Sequence, residues 1–200
     1  MPFALDLMMN LLKIDKDAKI QSRSIEIASY ECDDEHIIVC GKLRDRRLVQ
    51  TYTLEGTPRE PEAVHHMRIC MKVAVGTLTI EEIEAELPRV PHDECADMHR
   101  TLEEIKGFTL TRGFSAKVRE KLGGRSGCIH LTTLLLAMAP AALQGYWVHN
   151  DRKPERRRIS GEHLEHYLID TCRVWRREGP LVKKIAAAAG LRVKKKNGRA

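Results

Sequence analysis

The sequence predicts an α+β fold, an antiparallel sheet with helices packed on one face, followed by a helical C-terminal extension. Two observations carry this. Apolar and polar residues alternate before residue 86, and apolar residues recur at three- and four-residue spacing after residue 92. Strands gathered first and helices later favour a layered arrangement over the alternating order of a parallel sheet. The length of 200 residues suits one domain with extensions, large enough to bury a core without disulfide or metal staples.

Met1 to Lys13 is apolar but interrupted by Asp6, and it reads as an amphipathic helix. Ser24 to Tyr30 alternates as a half-buried strand does, Asp33 and Asp34 make a turn, and His36 to Arg44 and Arg47 to Leu54 follow as second and third strands. Gly56, Pro58 and Pro61 break the chain before the most legible strand, His65 to Val75. One parity of that strand holds His65, Met67, Ile69, Met71 and Val73, and the other holds His66, Arg68, Cys70 and Lys72. His65 is therefore expected to face the core and His66 the solvent. Leu78 to Ala85 reads as a charged-faced strand pairing back.

Pro88 and Pro91 close that strand, and a helix is expected from Asp93 to a stop at Gly107. Cys95, Met98, Leu102 and Ile105 would form its buried stripe, with His99 near Cys95. Ser115 to Leu122 reads as a short helix. Gly123, Gly124 and Gly127 then form a loop in which Ser126 is placed to cap a long apolar helix from Ile129 to Leu143. Ser160 to Leu168 and Leu181 to Ala189 read as helices on either side of an irregular stretch from Asp170 to Pro180. The chain thus divides into an N-terminal amphipathic helix (1–20), a single α+β domain (21–187) and a basic tail (188–200).

The net charge of +6 is unevenly spread: from Arg152 to Ala200 there are fifteen Lys/Arg against five Asp/Glu, so that part carries +10 and the remainder −4. A basic tail of this kind is a means of contacting an acidic protein partner. Aromatic residues make up only 4% of the chain, which argues against a base-stacking surface and against nucleic acid as the partner. The N-terminal segment has neither the basic flank nor the cleavage site of a signal peptide, and the run Leu131 to Leu143 is shorter than a bilayer span. A cytoplasmic protein with no membrane segment is expected. Its six cysteines are accordingly expected to be thiols or metal ligands rather than disulfides.

No phosphate-binding loop, Gly-x-Ser-x-Gly elbow, His-Glu-x-x-His helix or Cys-x-x-Cys pair occurs. Any metal site must be assembled from distant segments, and the candidates are His65 at a strand start, Cys95 near a helix start, and Cys128 with His130 at another helix start. Cys128 is the best placed of these. It falls in the first helical turn, where the helix dipole favours a thiolate able to bind metal or to act as a nucleophile. An inward histidine or a cysteine on an apolar stripe otherwise serves as packing. Cys32, Cys40, Cys70, Cys172, His36, His149, His163 and His166 are read as structural or surface residues.

Val64 to Met67, Pro91 to Cys95, Ile105 to Phe114 and Leu122 to Leu131, in this order and spacing, resemble a bacterial family catalogued as domain of unknown function 2889. Asp170 to Cys172 and Gly179 to Val182 are similar to its closing segment. The resemblance covers Arg23 to Val182, and Gly-Cys-x-His-Leu is its most specific motif. The chain departs from that family at His66, where an acidic residue is typical. More distantly, the order of these segments is similar to NifU-type iron-sulfur cluster scaffold proteins. That resemblance implies His65 in place of a first cysteine ligand, Cys95 as the second, and Cys128 with His130 near the third, around zinc or an iron-sulfur unit.

Three readings of function follow. In the first, His65, Cys95, Cys128 and His130 form a mixed metal site holding zinc or an iron-sulfur cluster in an accessory role. In the second, Cys128 is a catalytic nucleophile for acyl or sulfur transfer or for hydrolysis, with His65 or His130 as base. In the third, the domain is an interaction module whose basic C-terminal end contacts an acidic partner or nucleic acid, with every cysteine serving as packing.

Overall fold

The computed structural model describes residues 15–152, 161 and 164–191. The expected helix at Met1 to Lys13, the basic segment 192–200 and His163 lie outside these residues. The fold is α+β. Strands β1 (Gln21–Glu31), β2 (His36–Arg47), β5 (Glu62–Ala74) and β6 (Thr79–Arg89) form one antiparallel sheet in the order β1-β2-β5-β6. Each strand pairs with its predecessor in that order, so the sheet is a meander with one insertion between β2 and β5.

That insertion corrects the expected third strand. Arg47 ends β2, and only Thr51–Tyr52 (β3) is extended, pairing with Pro58–Arg59 (β4) in a separate two-stranded ribbon. The segment is too short between its Gly and Pro breakers to displace β5, whose long apolar parity makes the better neighbour for β2. Leu78 stands in the turn before β6, and the expected strand there extends to Arg89.

Helix α1 (Phe114–Leu122) precedes α2 (Ile129–Asp151), which lies across one face of the sheet against β2, β1 and β5. The parity Ile37, Val39 and Leu43 of β2 and the parity Met67, Ile69, Met71 and Val73 of β5 are buried beneath Leu131, Leu134, Leu135 and Met138 of α2. Alternation along the strands and the apolar rows of the helix thus meet in one core. The opposite sheet face carries half-buried His66, exposed Arg68 and half-buried Lys72, as the period-two reading requires. At the far end of α2 a second cluster forms around Leu164, Leu168, Ile169 and Val182, with Trp147 packed against it. It joins a π-helical turn (Leu164–Leu168) and α3 (Pro180–Ala188) to the domain.

Helix α2 runs eight residues beyond the expected end at Leu143. Among the described residues it is the one helix long and apolar enough to cross a membrane by length and composition, and 39% of its most apolar window is buried inside the domain. A further correction concerns Cys40 and Cys70. Expected as thiols, they stand directly opposite each other on β2 and β5 and form a disulfide. Period and register explain this: both occupy the outward parity at the same level of the ladder, and opposed residues of an antiparallel pair bring their Cβ atoms within bridging distance.

Candidate metal centre

The core-facing parity of β2 runs Ile37, Val39, Gly41, Leu43 and then Asp45, a carboxylate only 6% exposed. Buried charge requires partners, and the sheet register supplies them. Arg23 of β1 and His65 of β5 are the residues opposite Asp45 on its two neighbouring strands. Arg23 donates from Nε to Asp45 Oδ1 at 2.6 Å and from Nη2 to Oδ2 at 2.7 Å, a bidentate clamp. His65 Nδ1 is 3.1 Å from the same Oδ2. A register shift in the β2–β5 ladder falls just after Asp45, where a bulge can re-aim side chains toward a site.

The start of α2 completes the group. His130, in its first turn, brings Nε2 to 3.6 Å from Asp45 Oδ2 and stacks its ring on His65 with centroids 3.8 Å apart. Cys128 Sγ is 3.9 Å from Nδ1, the other nitrogen of the His130 ring. The hydrogen bonds from Arg23 outweigh burial and hold the Asp45 carboxyl below the usual range, helped by the charges of Arg23, His130 and His65. Burial, with the neighbouring His65 and Arg23, lowers the pKa of His130 against the opposing pull of Asp45. An ionised carboxylate thus faces a neutral imidazole at neutral pH, which is the protonation state metal ligation needs.

Asp45, His65 and His130 offer donor atoms that all lie within 4.8 Å of one another. Around an ion with bonds of about 2.0–2.2 Å, neighbouring ligand atoms stand roughly 2.9–3.5 Å apart. The separations of 3.1 and 3.6 Å from Oδ2 are close to that range, so the three side chains can hold a metal ion after small adjustments. Arg23 then acts as the outer partner that fixes the carboxylate.

Of the four residues expected to form a metal site, the fold brings His65 and His130 together. Cys128 adjoins them, but its sulfur faces the nitrogen of His130 that points away from Asp45. It therefore supports the ring from behind instead of sharing an ion bound at Nε2. Cys128 is the residue capping α2, with no side-chain cap hydrogen bond there, so Ser126 does not cap as expected. The missing side chains of Gly123 and Gly127 make room for the carbonyls of Arg119 and Leu122 at the end of α1. Those two glycines thus serve close backbone packing rather than access to the sulfur.

Cys95 is half-buried at the start of a helix that packs on β6 and is not among the three grouped donors. This helix, Asp93–Ile105, is of the 3-10 type. With three residues per turn, Cys95, Met98 and Thr101 align on a half-buried flank, while Leu102 and Ile105 fill the core. His99 is exposed and hydrogen-bonded to the Ala96 carbonyl. The missed residues are Asp45 and Arg23. Their signal was present: Asp45 continues the apolar parity of β2 one residue past the expected strand end, and a carboxylate on a core parity calls for a partner. His66 points to the other sheet face, so the carboxylate of this site comes from Asp45 and not from the position after His65.

A prediction arises from the clamp. Arg23→Ala should destabilise the metal-free protein at pH 7 by leaving a buried carboxylate without its guanidinium clamp, with only His65, among the described residues, within hydrogen-bond distance. Because the folded-state pKa of Asp45 is depressed, the stability it brings is present above the unfolded value near 4 and is lost as pH falls through the folded value. Urea denaturation of wild type and variant with chelator present should differ at pH 7 and converge in acid. Curves that stay parallel at all pH values contradict this account.

Neither the curated proteins nor the solved structures contain a match to this chain. The family model that does match spans residues 21–144, which include Arg23, Asp45, His65, Cys95, Cys128 and His130, together with the whole sheet and most of α2. The chain belongs to the family described as Protein of unknown function (DUF2889).

Proposed function

We propose that the domain binds a divalent metal ion through Asp45, His65 and His130, in an accessory rather than a catalytic role, and that the ion is zinc. One observation carries this reading: two imidazole nitrogens, from β5 and α2, converge on a single carboxylate oxygen of β2. Two imidazoles and a carboxylate suit zinc, whereas an iron-sulfur unit calls for thiolates. Three protein ligands leave one position of a tetrahedral zinc ion for a further ligand. A cytoplasmic location and an acidic protein partner for the basic tail complete the reading.

Metal analysis of anaerobically purified protein, with an absorption spectrum, tests it. The expected result is about one zinc per chain and no visible absorption. Protein that carries no metal and takes up none on titration with zinc sinks the proposal. Sulfide-to-iron absorption in the visible would replace zinc with a cluster.

A second reading has its own observation. Cys128 Sγ, the two nitrogens of His130 and Asp45 Oδ2 stand in series, with separations of 3.9 and 3.6 Å. That is the sequence of nucleophile, base and orienting carboxylate in a thiol-dependent acyl or sulfur transferase or hydrolase. Under this reading iodoacetamide modifies Cys128 ahead of Cys95, His130→Ala abolishes the preference, and no metal is retained.

A further inference from the structure

The sheet face opposite α2 holds a groove of about 370 Å³ with the Cys40–Cys70 disulfide in its wall. Lys42 and Arg44 continue the outward parity of β2 beyond Cys40, and Arg68 does the same beside Cys70 on β5. Arg68 is paired with Glu86, while Lys42 and Arg44 make no ion pair among the described residues. Glu26 lies opposite Lys42 on β1, and Glu84 opposite Cys70 on β6. Among the described residues the groove therefore offers two cations outside any ion pair, with Glu26 also in its lining, next to a half-buried disulfide.

The placement is unusual for a bridge whose purpose is to hold the fold. β2 and β5 are already joined by a ladder of twelve residue pairs running from His36–Ala74 to Arg47–Glu62, and α2 covers their other face. Backbone hydrogen bonds keep Cys40 opposite Cys70 whether or not the sulfurs are joined. Opening the bridge is therefore expected to leave the fold in place, with the sulfurs positioned to close again. Nearby cations stabilise a departing thiolate and draw in an anionic thiol.

We infer that Cys40–Cys70 is a thiol-disulfide exchange site for small anionic thiols of the glutathione class, held by Lys42 and Arg44. The incoming thiolate attacks one sulfur, the S–S bond breaks, and the other cysteine leaves as a thiolate that takes up the proton released by the incoming thiol. A second thiolate attacks the resulting mixed disulfide and releases the small disulfide, leaving two cysteine thiols. Two electrons pass from two small thiols to the protein. The small disulfide reverses the sequence.

The test uses the full chain at low ionic strength, with reduced glutathione and, separately, the neutral thiol 2-mercaptoethanol. Differential alkylation with mass mapping follows Cys40 and Cys70, and circular dichroism follows the fold. Glutathione should open the bridge in the folded protein and leave a transient adduct on one of the two sulfurs. Lys42→Ala with Arg44→Ala should slow glutathione about five- to tenfold and leave the rate with 2-mercaptoethanol unchanged. High salt on the unmodified chain should have the same selective effect, which frees the test from the folding of the variant.

Three results overturn the inference. The bridge resists both thiols until denaturant is added; reduction unfolds the domain; or neutral and anionic thiols respond alike to salt and to the double variant. Isolation of the chain with both sulfurs as thiols that glutathione disulfide does not join overturns it as well. None of these readouts depends on a metal at Asp45.

Discussion

Replacing His65 or His130 with alanine is expected to weaken zinc binding by more than about a hundredfold, because loss even of an outer hydrogen-bonding partner of a metal ligand costs 10- to 100-fold. Each variant deletes one of three protein donors. Asp45→Asn should do the same for a different reason: the amide keeps the shape but loses the charge that offsets the ion, and it leaves Arg23 without its anion. Cys128→Ser acts behind the ring of His130, so about a tenfold loss is expected. Cys95→Ala should leave affinity unchanged, since Cys95 is not among the grouped donors. Competition titration against a chromophoric chelator measures all five. Undiminished affinity in both histidine variants, or abolition by Cys95→Ala alone, would move the site elsewhere.

The pattern separating these variants also marks what the chain made legible. The strand from His65 onward was readable because its two parities differ so clearly in polarity, and that parity put His65 on the side that α2 later covers. His130 was readable from the glycine loop and the apolar run that follows it. Asp45 was not, because a strand reading that stops at Arg44 leaves it in a loop; the pairing of Asp45 with Arg23 on one side and His65 on the other extends β2 and turns an apparent loop carboxylate into a buried one. Cys95 stands off the buried row for a reason of period. An apolar stripe at three- and four-residue spacing fits an α-helix and a 3-10 helix about equally over two turns, and the choice between them rotates Cys95 off the core row. The disulfide is a matter of register, which no single strand contains: Cys40 meets Cys70 only because β2 pairs with β5 in one particular alignment. The expected third strand failed through competition, since a segment can satisfy local alternation and still lose its place to a longer, more apolar neighbour.

A large loss of stability is expected from bulk added at Gly145, where helix meets sheet. A Cβ built there would fall 2.5 Å from the Cβ of Ser29, a distance real atoms do not adopt. Ser29 lies on the α2-facing parity of β1, opposite Val39, so the conflict is between a helix and the sheet beneath it and not between flexible ends. Gly41 is a second such point: its Cβ would meet Met138 Sδ at 2.6 Å and Cγ at 2.8 Å, and both Met138 and the neighbouring Leu134 are buried in the core. For Gly145→Ala, overpacking of about 1–3 kcal/mol is partly offset by the roughly 1 kcal/mol that alanine gains over glycine inside a helix. For Gly145→Val the branched side chain gains less helix propensity and intrudes further, so a net loss of about 3 kcal/mol is expected. Ser29→Gly in the Gly145→Val background should recover about 1–2 kcal/mol as a coupling energy, because it removes the atom the new side chain strikes, whereas Ser29→Ala, which keeps the Cβ, should recover far less. Urea midpoints at constant slope measure both terms. A Gly145→Val protein as stable as the wild type, or equal rescue by Ser29→Gly and Ser29→Ala, would show that α2 does not seat on β1 at this point.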